Sequence, residues 1–285
     1  MDESAHHDDL AAFLRDGRTA LATGPVALIL AEDAVEVAST LRHHRDAGFR
    51  SIVLLGSAEL DLPTGPGVTR VAHDMARPGA LEAAVNGVLG AMPAGEWLYY
   101  GYNAEYLFFP FCEHRSIGEM LDFHAGERRD AMLAFVVDLY AGNLEAHPSA
   151  VALSDAHLDR TGYYALARPG AERQFDFHGG LRWRFEEHVP EGRRRIDRVA
   201  LVRARPGLRF RSDHTFSEPE LNTFACPWHH NLTAAVCSFR TAKALKRNPG
   251  SRDAIGTFLW HNSAPFEWHS RQLLELGLME PGQWF

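Results

Sequence analysis

The sequence predicts an α/β fold, with a mixed sheet of the doubly wound kind flanked by helices and a helical segment at the C-terminus. Two observations predict it. Short apolar runs, at 26–31 and 51–55, are typical of strands buried on both faces of a parallel sheet. Segments with helix start and stop signals separate such runs, so strand and helix alternate along the first half of the chain.

Each further element follows from a local signal. After the strand at 26–31, Asp33 and Glu36 have the spacing of a capping box, and the helix that follows ends before Gly48. Ser116 and Glu119 have the same spacing at the start of a later helix. The other strands are expected at 51–55, 68–71, 97–100, 131–140, 199–202 and 208–211, and the other helices at 80–89, 232–247 and 265–276.

Length, charge and cysteine content indicate an ordinary globular protein. The 285 residues can bury a core unaided, and we expect a domain at 1–225 with a helical extension at 226–285 packed on it. Three cysteines make no disulfide framework, and the acidic N-terminus has no signal-peptide pattern. A net charge of -8 argues against broad binding of nucleic acid. We therefore expect a cytoplasmic protein without a transmembrane segment, and the oligomeric state stays open.

Several short pieces between 25 and 240 have the order and spacing of a known family. Trp97 begins an apolar strand that leads into YNAEYL at 102–107, which is similar to Asp-x-Asp-Glu-Phe-Leu. The other pieces are Ala31-Glu32 after the first strand, His43-His44 in the first helix, GGLRWR at 179–184 and a late His214. Together they resemble the nucleotide-sugar glycosyltransferases with the GT-A fold, in particular the family 2-like bacterial proteins.

The resemblance implies a GT-A-like fold and transfer of a sugar from a nucleotide-sugar donor to a glycan or cell-envelope acceptor. The chain departs from the family at its metal site, where Tyr102 and Ala104 replace both aspartates. Hard cations need oxygen ligands, and Asn103 and Glu105 offer one carbonyl and one carboxylate. We therefore expect Mn²⁺ or Mg²⁺ to bind weakly or not at all. The resemblance also implies that His214 is the metal-contacting residue.

Substrate-binding residues are implied at the first strand end, in the first helix and at the YNAEYL segment. They are Glu32, His44, Tyr102 and Asn103. Tyr102 falls where an aromatic ring can stack on a base or a sugar.

Arginines can neutralise a leaving diphosphate where a metal does not. Arg182 and Arg184 alternate, so on a strand they would face the same side and bind the substrate together. The alternative, that they pair with neighbouring acidic residues, stays open. For the arginines at 193–195, a solvated and self-paired surface is the preferred interpretation.

An inverting transferase needs a general base near the acceptor hydroxyl. The candidates are Glu105, Asp138 and Asp213, which lie near expected strand ends. A carboxylate at the end of a core strand is costly unless it has a partner or faces a cleft. The alternatives are a carboxylate bonded to backbone amides for Asp138 and a strand-end turn for Asp213.

Other functions are also compatible with the chain. Cys226, His229, His230 and Cys237 are zinc-ligand types, but half of a zinc motif is missing, and Cys237 is interpreted as a buried thiol in a helix. A catalytically inactive GT-A-like binding or scaffold protein is the main alternative, favoured by the loss of both aspartates. A different nucleotide-binding enzyme is the third, although no Gly-x-Gly-x-x-Gly turn or Walker loop is present.

Overall fold

A computed structural model describes residues 5–170, 175–222 and 231–284, and the protein has an α/β fold with mixed sheets flanked by helices. The strands are β1 His6–His7, β2 Val26–Ala31, β3 Ser51–Gly56, β4 Val68–Ala72, β5 Trp97–Tyr102, β6 Glu105–Phe108, β7 Ala131–Asp138, β8 Tyr140–Ala141, β9 Ala156–Asp159, β10 Tyr164–Ala167, β11 Phe175–His178, β12 Asp197–Arg203, β13 Ala234–Ser238 and β14 Ser263–Pro265. The α-helices are α1 Leu10–Asp16, α2 Val37–Asp46, α3 Ala80–Ala91, α4 Ile117–Gly126, α5 Gly180–Arg184, α6 Arg240–Arg247, α7 Pro249–Arg252 and α8 Ser270–Glu275.

The described residues fall into two compact units, each assembled from separate stretches of the chain. Of the described residues, the first unit draws on 5–104, 114–132 and 199–222. The second unit draws on 105–113, 133–170, 175–198 and 231–284. The domain boundary expected after residue 225 lies outside the described residues.

The sheet of the first unit has the strand order β1-β4-β3-β2-β5-β12. The first five strands run parallel, and β12 is antiparallel to β5. Every residue of β2 and β5 is buried, because both strands have neighbours on each side and covered faces. The strands predicted at 26–31, 51–55, 68–71 and 97–100 and the helix predicted at 80–89 are therefore confirmed.

The helix ends of the first unit follow the expected chemistry at one N-terminus and depart from it at another. Ser116 and Glu119 form the predicted capping box of α4. The capping box predicted at α2, with Asp33 as the N-cap residue, is wrong. Glu36 is the N-cap residue, with φ +53°. Asp33 instead accepts a hydrogen bond from the Val35 amide. Gly48 follows α2 with φ +98°, the left-handed conformation that glycine adopts without strain.

The second unit contains a smaller mixed sheet in which β13 pairs in parallel with β7 and antiparallel with β6. A β10–β11 hairpin and a three-stranded sheet of order β14-β9-β8 complete its strands. Buried apolar side chains from β8, α5, α6 and the 250s, among them Tyr140, Leu181, Leu245 and Phe258, form one cluster of its core. The strand predicted over 131–140 is confirmed as β7 with β8 directly after it.

Three predicted elements are wrong in whole or in part. The helix expected over 232–247 is a buried strand, β13, followed by the helix α6. The helix expected over 265–276 begins only at Ser270, after the strand β14. The strand expected at 208–211 contributes a single bridge, between Phe210 and Phe216. Within the described ranges, no helix is both long enough and apolar enough to cross a bilayer.

Candidate functional site

The strand order of the first unit reverses direction between β2 and β5. From β2 the chain adds β3 and then β4 on one side, and β5 pairs with β2 on the other side. In open α/β sheets the loops at the carboxyl ends of two such strands diverge and leave a crevice where ligands bind. Glu32 and Asp33 follow β2 here, and Asn103 follows β5.

Asn103 fixes the loop that follows β2. Its side-chain oxygen accepts a hydrogen bond from the Glu32 amide at 3.0 Å, and its side-chain nitrogen donates to Asp33 Oδ1 at 2.6 Å and to the Val35 carbonyl at 2.9 Å. The Asn103 side chain is buried, whereas Glu32 is exposed. The structure therefore brings two of the predicted substrate-binding residues together, with Asn103 as the support and Glu32 as the residue that faces solvent.

The turn after Asn103 is held against α2. Ala104 has φ +58°, and its amide donates to the Thr40 hydroxyl at 2.9 Å. The same hydroxyl donates to the Glu36 carbonyl at 2.6 Å. Tyr102, the predicted stacking residue, exposes 4% of its surface, so it offers little ring area to a ligand.

His44 lies in the core of the first unit. Its Nδ1 donates to the Thr40 carbonyl at 2.8 Å, and its ring stacks on Tyr99 with a centroid separation of 4.9 Å. The His44 side chain is fully buried. It thus packs on Tyr99 in the core and has no surface to offer a substrate.

Glu105 is fully buried in the second unit. Arg198 donates to both of its carboxylate oxygens, at 2.7 and 2.9 Å, and the Ser238 hydroxyl donates to Oε1 at 2.9 Å. These are charge-assisted hydrogen bonds of the strong bidentate kind. Glu105 thus binds side chains of its own unit, and sequence reasoning missed Arg198 as its partner because 93 residues separate the two.

Asp138 is likewise buried and bound within the second unit. The Thr241 hydroxyl donates to Oδ1 at 2.7 Å, and Arg182 Nε lies 3.3 Å from the same atom. Burial raises the pKa of Asp138 above its ordinary value, although Arg182 and Thr241 favour the carboxylate. Gly180 has φ +63°, and a Cβ there would lie 3.0 Å from Asp138 Oδ2, so this close approach needs glycine.

Arg182 and Arg184 lie on the helix α5, and the prediction that they share one face of a strand is wrong. Two residues apart on a helix, they point in different directions. Arg182 also donates to the Arg195 carbonyl at 2.8 Å, and Arg184 donates to Asp159 Oδ1 at 3.1 Å. Their side chains are 12% and 11% exposed, so both guanidinium charges are balanced inside the second unit.

Asp159 is the centre of a network that the sequence did not predict. Besides Arg184, the Tyr140 hydroxyl donates to it at 2.5 Å and Trp260 Nε1 at 2.7 Å. The Arg184 guanidinium also lies over the Trp260 ring, 4.6 Å from its centroid. Trp260 therefore both donates to Asp159 and contacts the arginine that binds it.

Asp213 and His214 lie in a turn of the first unit, where Asp213 is exposed and His214 is half-buried. Asp213 accepts from the Thr215 hydroxyl at 2.6 Å and from its amide at 3.1 Å. Partial burial favours the neutral acid, but these hydrogen bonds outweigh it and lower the pKa of Asp213. His214 has φ +61°, and its ring meets Phe210 edge-on at 5.7 Å.

Metal ligands do not converge around His214 or elsewhere in the part of the chain that the structure describes, where no three His, Cys, Asp or Glu side chains form a cluster suited to a metal. The proposed zinc-ligand types Cys226, His229 and His230 lie outside the described residues, and Cys237 is buried on the strand β13 rather than in a helix. The metal role of His214 stays a prediction.

Two arrangements thus stand out. In the first unit, the exposed Glu32 lies beside Asn103 at the point where the strand order reverses. In the second unit, three buried acidic residues are each bound by an arginine. No protein-family model matches this sequence, and a search of curated proteins finds no match either.

Proposed function

We propose that the protein is a glycosyltransferase of the GT-A type that binds a nucleotide-sugar at the carboxyl ends of β2 and β5 and transfers the sugar to a glycan or cell-envelope acceptor. The observation that carries the proposal is the contact between Asn103 and the Glu32 loop at the reversal of strand order. Such a position is where open α/β sheets bind nucleotides. The resemblance of the strand-end motifs to family 2-like transferases supports the same assignment.

Glu32 is the residue best placed to meet such a ligand. The residue is exposed, and its backbone amide donates to Asn103 at 3.0 Å. A carboxylate accepts hydrogen bonds from the hydroxyl groups of a ribose or a sugar. The Asn103 side-chain oxygen and nitrogen already bind the loop before a ligand arrives. The site is thereby organised in advance, which lowers the entropic cost of binding.

Binding in this site is proposed to need no divalent cation. Tyr102 is buried, Ala104 offers no ligand atom in its side chain, and Glu105 is occupied by Arg198 and Ser238. The YNAEYL segment itself, which replaces the Asp-x-Asp pair, thus offers few oxygen ligands for a hard cation. The negative charge of a bound diphosphate would therefore be balanced by protein groups and not by a metal ion at the YNAEYL segment.

The alternative function is a binding or scaffold protein without catalysis. The specific observation that favours it is the enclosure of Glu105 and Asp138, two of the three candidate bases, by Arg198 and Arg182. A general base must reach the proton that it removes. In this alternative, the nucleotide binds in the same place and no sugar is transferred.

Calorimetric titration with UDP, GDP and their common sugar conjugates tests the proposal. Each ligand is titrated with Mn²⁺ and then with EDTA. We expect binding that EDTA leaves unchanged and that Glu32→Gln weakens about tenfold, as for loss of one strong hydrogen bond. Glu127→Gln, a change of an exposed glutamate at the end of α4, serves as the matched control and should bind as the wild type does.

The titration also separates the two functions and can contradict both. If no ligand binds with Mn²⁺ and none binds with EDTA, both the transferase and the nucleotide-binding scaffold are contradicted. Binding only with Mn²⁺ would contradict the metal-independent site. If a nucleotide-sugar binds, release of free UDP or GDP over hours in the presence of acceptor glycans distinguishes the enzyme from the scaffold.

A further inference from the structure

The β10–β11 hairpin and the helix α5 carry a cluster of exposed aromatic and aliphatic side chains. Within the described residues, five large hydrophobic side chains are exposed, and four of them lie on these two elements: Tyr164, Leu166, Phe175 and Trp183. Their exposed fractions run from 38% to 52%. Single exposed apolar side chains are ordinary, but a contiguous group of them marks a binding surface. Phe175 is two residues from Phe177 on β11 and lies on the other face of the hairpin from Tyr164 and Leu166. We call Tyr164, Leu166 and Trp183 the hairpin platform.

The aromatic rings of the hairpin platform have a defined arrangement. Tyr164 stacks on His178, its partner across the hairpin, with the ring centroids 5.2 Å apart and the planes at 17°. Trp183 meets Tyr164 at 76°, with a centroid separation of 6.3 Å. A Cβ at Gly162 would lie 2.9 Å from Trp183 Cζ3, so the indole is packed against the chain at that glycine. The two ring planes thus form a nearly perpendicular corner, and both side chains are partly exposed.

The register of the hairpin shows which face is exposed. Residues directly opposite each other in an antiparallel pair lie on the same face. Tyr164 therefore shares a face with His178, and Leu166 shares that face with Asp176. Phe177 lies on the opposite face and packs on an aromatic ring of β7 with a centroid separation of 5.0 Å. The stacked pair and Leu166 thus belong to the outer face.

Polar groups with balanced charge border the hairpin platform. Asp176 accepts from Arg168 at 2.7 Å, and Arg195 Nε lies 3.2 Å from the same oxygen. Arg195 also pairs with Asp197. Two guanidinium groups thus face two carboxylates, and the charges of these four residues balance. Nucleic acids and anionic membranes require a net positive surface, so this border does not favour either of them.

We propose that the hairpin platform binds a neutral glycan. A sugar ring has one face made of C–H groups, which packs on an aromatic ring, and an edge of hydroxyl groups, which hydrogen-bond to carboxylates and guanidinium groups. The corner formed by Trp183 and Tyr164 supplies the apolar part of that recognition, and Asp176 with its arginines supplies the polar part. If the protein is the transferase proposed above, this glycan is its acceptor or product, and only that last identification depends on the proposed function.

Neutral oligosaccharides are the probe. The wild-type protein is screened on an array of neutral glycans, and a glycan that binds is then titrated calorimetrically. We expect Trp183→Ala and Tyr164→Ala each to weaken binding about tenfold, since each removes a stacking ring. Trp183→Phe and Tyr164→Phe keep a ring and should retain most of the affinity. Leu259→Ala changes the fifth exposed hydrophobic side chain, which lies outside both elements, and should have no effect.

Three results would overturn the proposal. One is a wild-type protein that binds no neutral glycan on the array. Another is glycan binding that both alanine variants leave unchanged while their circular dichroism matches the wild type. The third is a dimer in analytical ultracentrifugation that Trp183→Ala dissociates, which would make the hairpin platform a contact between two copies of the chain.

The nucleotide titration keeps this proposal separate from the proposed function. Trp183→Ala and Tyr164→Ala should bind UDP and GDP as the wild type does, because the nucleotide is assigned to the first unit. Glycan binding without nucleotide binding would contradict the transferase and leave the hairpin platform in place. Nucleotide binding without glycan binding would contradict the glycan site on the hairpin platform and leave the nucleotide site of the proposed transferase in place.

Discussion

Arg198 holds both carboxylate oxygens of Glu105 in a bidentate ion pair, at 2.7 and 2.9 Å. The Glu105 side chain is fully buried, and that of Arg198 is 7% exposed. Glu105 is the glutamate of the YNAEYL segment at 102–107. In this chain, that glutamate is bound to its own unit, and its contribution to stability can be measured apart from any activity.

Arg198→Met should lower the free energy of unfolding by about 3–5 kcal/mol, because it leaves the Glu105 carboxylate buried without its cation. The double change Glu105→Leu with Arg198→Met should cost less than the sum of the two single changes, since it leaves no buried charge. Guanidinium chloride titrations measure all three. Arg252→Met, which breaks an exposed pair with Asp253, should change stability little. Single variants as stable as the wild type would contradict a structural ion pair.

Gly180→Ala should lower the free energy of unfolding by about 1–3 kcal/mol, because φ is +63° there and the new methyl group would press on Asp138. Thermal unfolding followed by circular dichroism measures the loss. Gly90 provides the matched control, since it lies within α3 and a Cβ there would meet no atom within 4 Å. Gly90→Ala should keep or raise the stability. Equal effects at the two positions would contradict the close packing of α5 on Asp138.

Glu113 should stabilise the protein in a pH-dependent way. Partial burial would raise its pKa, but hydrogen bonds from the Ser270 hydroxyl and amide outweigh this and lower the pKa below its ordinary 4.5. A lowered pKa gives stability that is present above the unfolded-state pKa and lost as the pH falls through the folded-state pKa. Glu113→Gln should therefore be less stable than the wild type at pH 7, by about 1 kcal/mol, and the difference should shrink below about pH 4.

Urea titrations between pH 3 and pH 7 measure this difference. Ser270→Ala removes the hydroxyl donor and keeps the amide, so it should show a smaller part of the same pH dependence. A wild-type and a Glu113→Gln stability curve that stay parallel across this range would show that the carboxylate charge is not what Ser270 binds.

Cys112 should react slowly with alkylating reagents in the folded protein. Burial raises the pKa of its thiol to about 12, and the neighbouring Glu113 carboxylate adds to the shift. Because the thiolate is the nucleophile, about one molecule in ten thousand is reactive at pH 8. Mass spectrometry of the peptide that contains Cys112, after iodoacetamide treatment of native and unfolded protein, measures the ratio of rates. Equal rates in the two states would contradict the enclosed thiol.

The parallel half of the sheet was predictable because its strands are apolar throughout. The run VALILA at β2 is six residues long, too short for a typical helix, and helix signals flank it. The apolar run at β13 was predicted as part of a helix because it, too, is apolar throughout. Its residues are all buried, so it has no alternation, and it leads directly into the helix α6. A buried strand and the start of a buried helix have the same apolar composition.

The candidate site was predictable only where it depends on strand ends. Glu32 and Asn103 each follow a predicted strand, and parallel neighbours bring such ends to one edge of a sheet. The partners of Asp159 could not be found in this way. Tyr140, Arg184 and Trp260 lie 19, 25 and 101 residues from it along the chain, and no sequence period joins them. The contact of Arg198 with Glu105 is hidden for the same reason.

Hydrogen–deuterium exchange with and without a saturating UDP-sugar or GDP-sugar tests the central claim most directly. With EDTA present, we expect slower exchange of the backbone amides at 32–36, the loop that Asn103 holds, and unchanged exchange in α3 as the internal control. A nucleotide-sugar that binds the protein but leaves exchange at 32–36 unchanged would contradict a nucleotide site at the ends of β2 and β5.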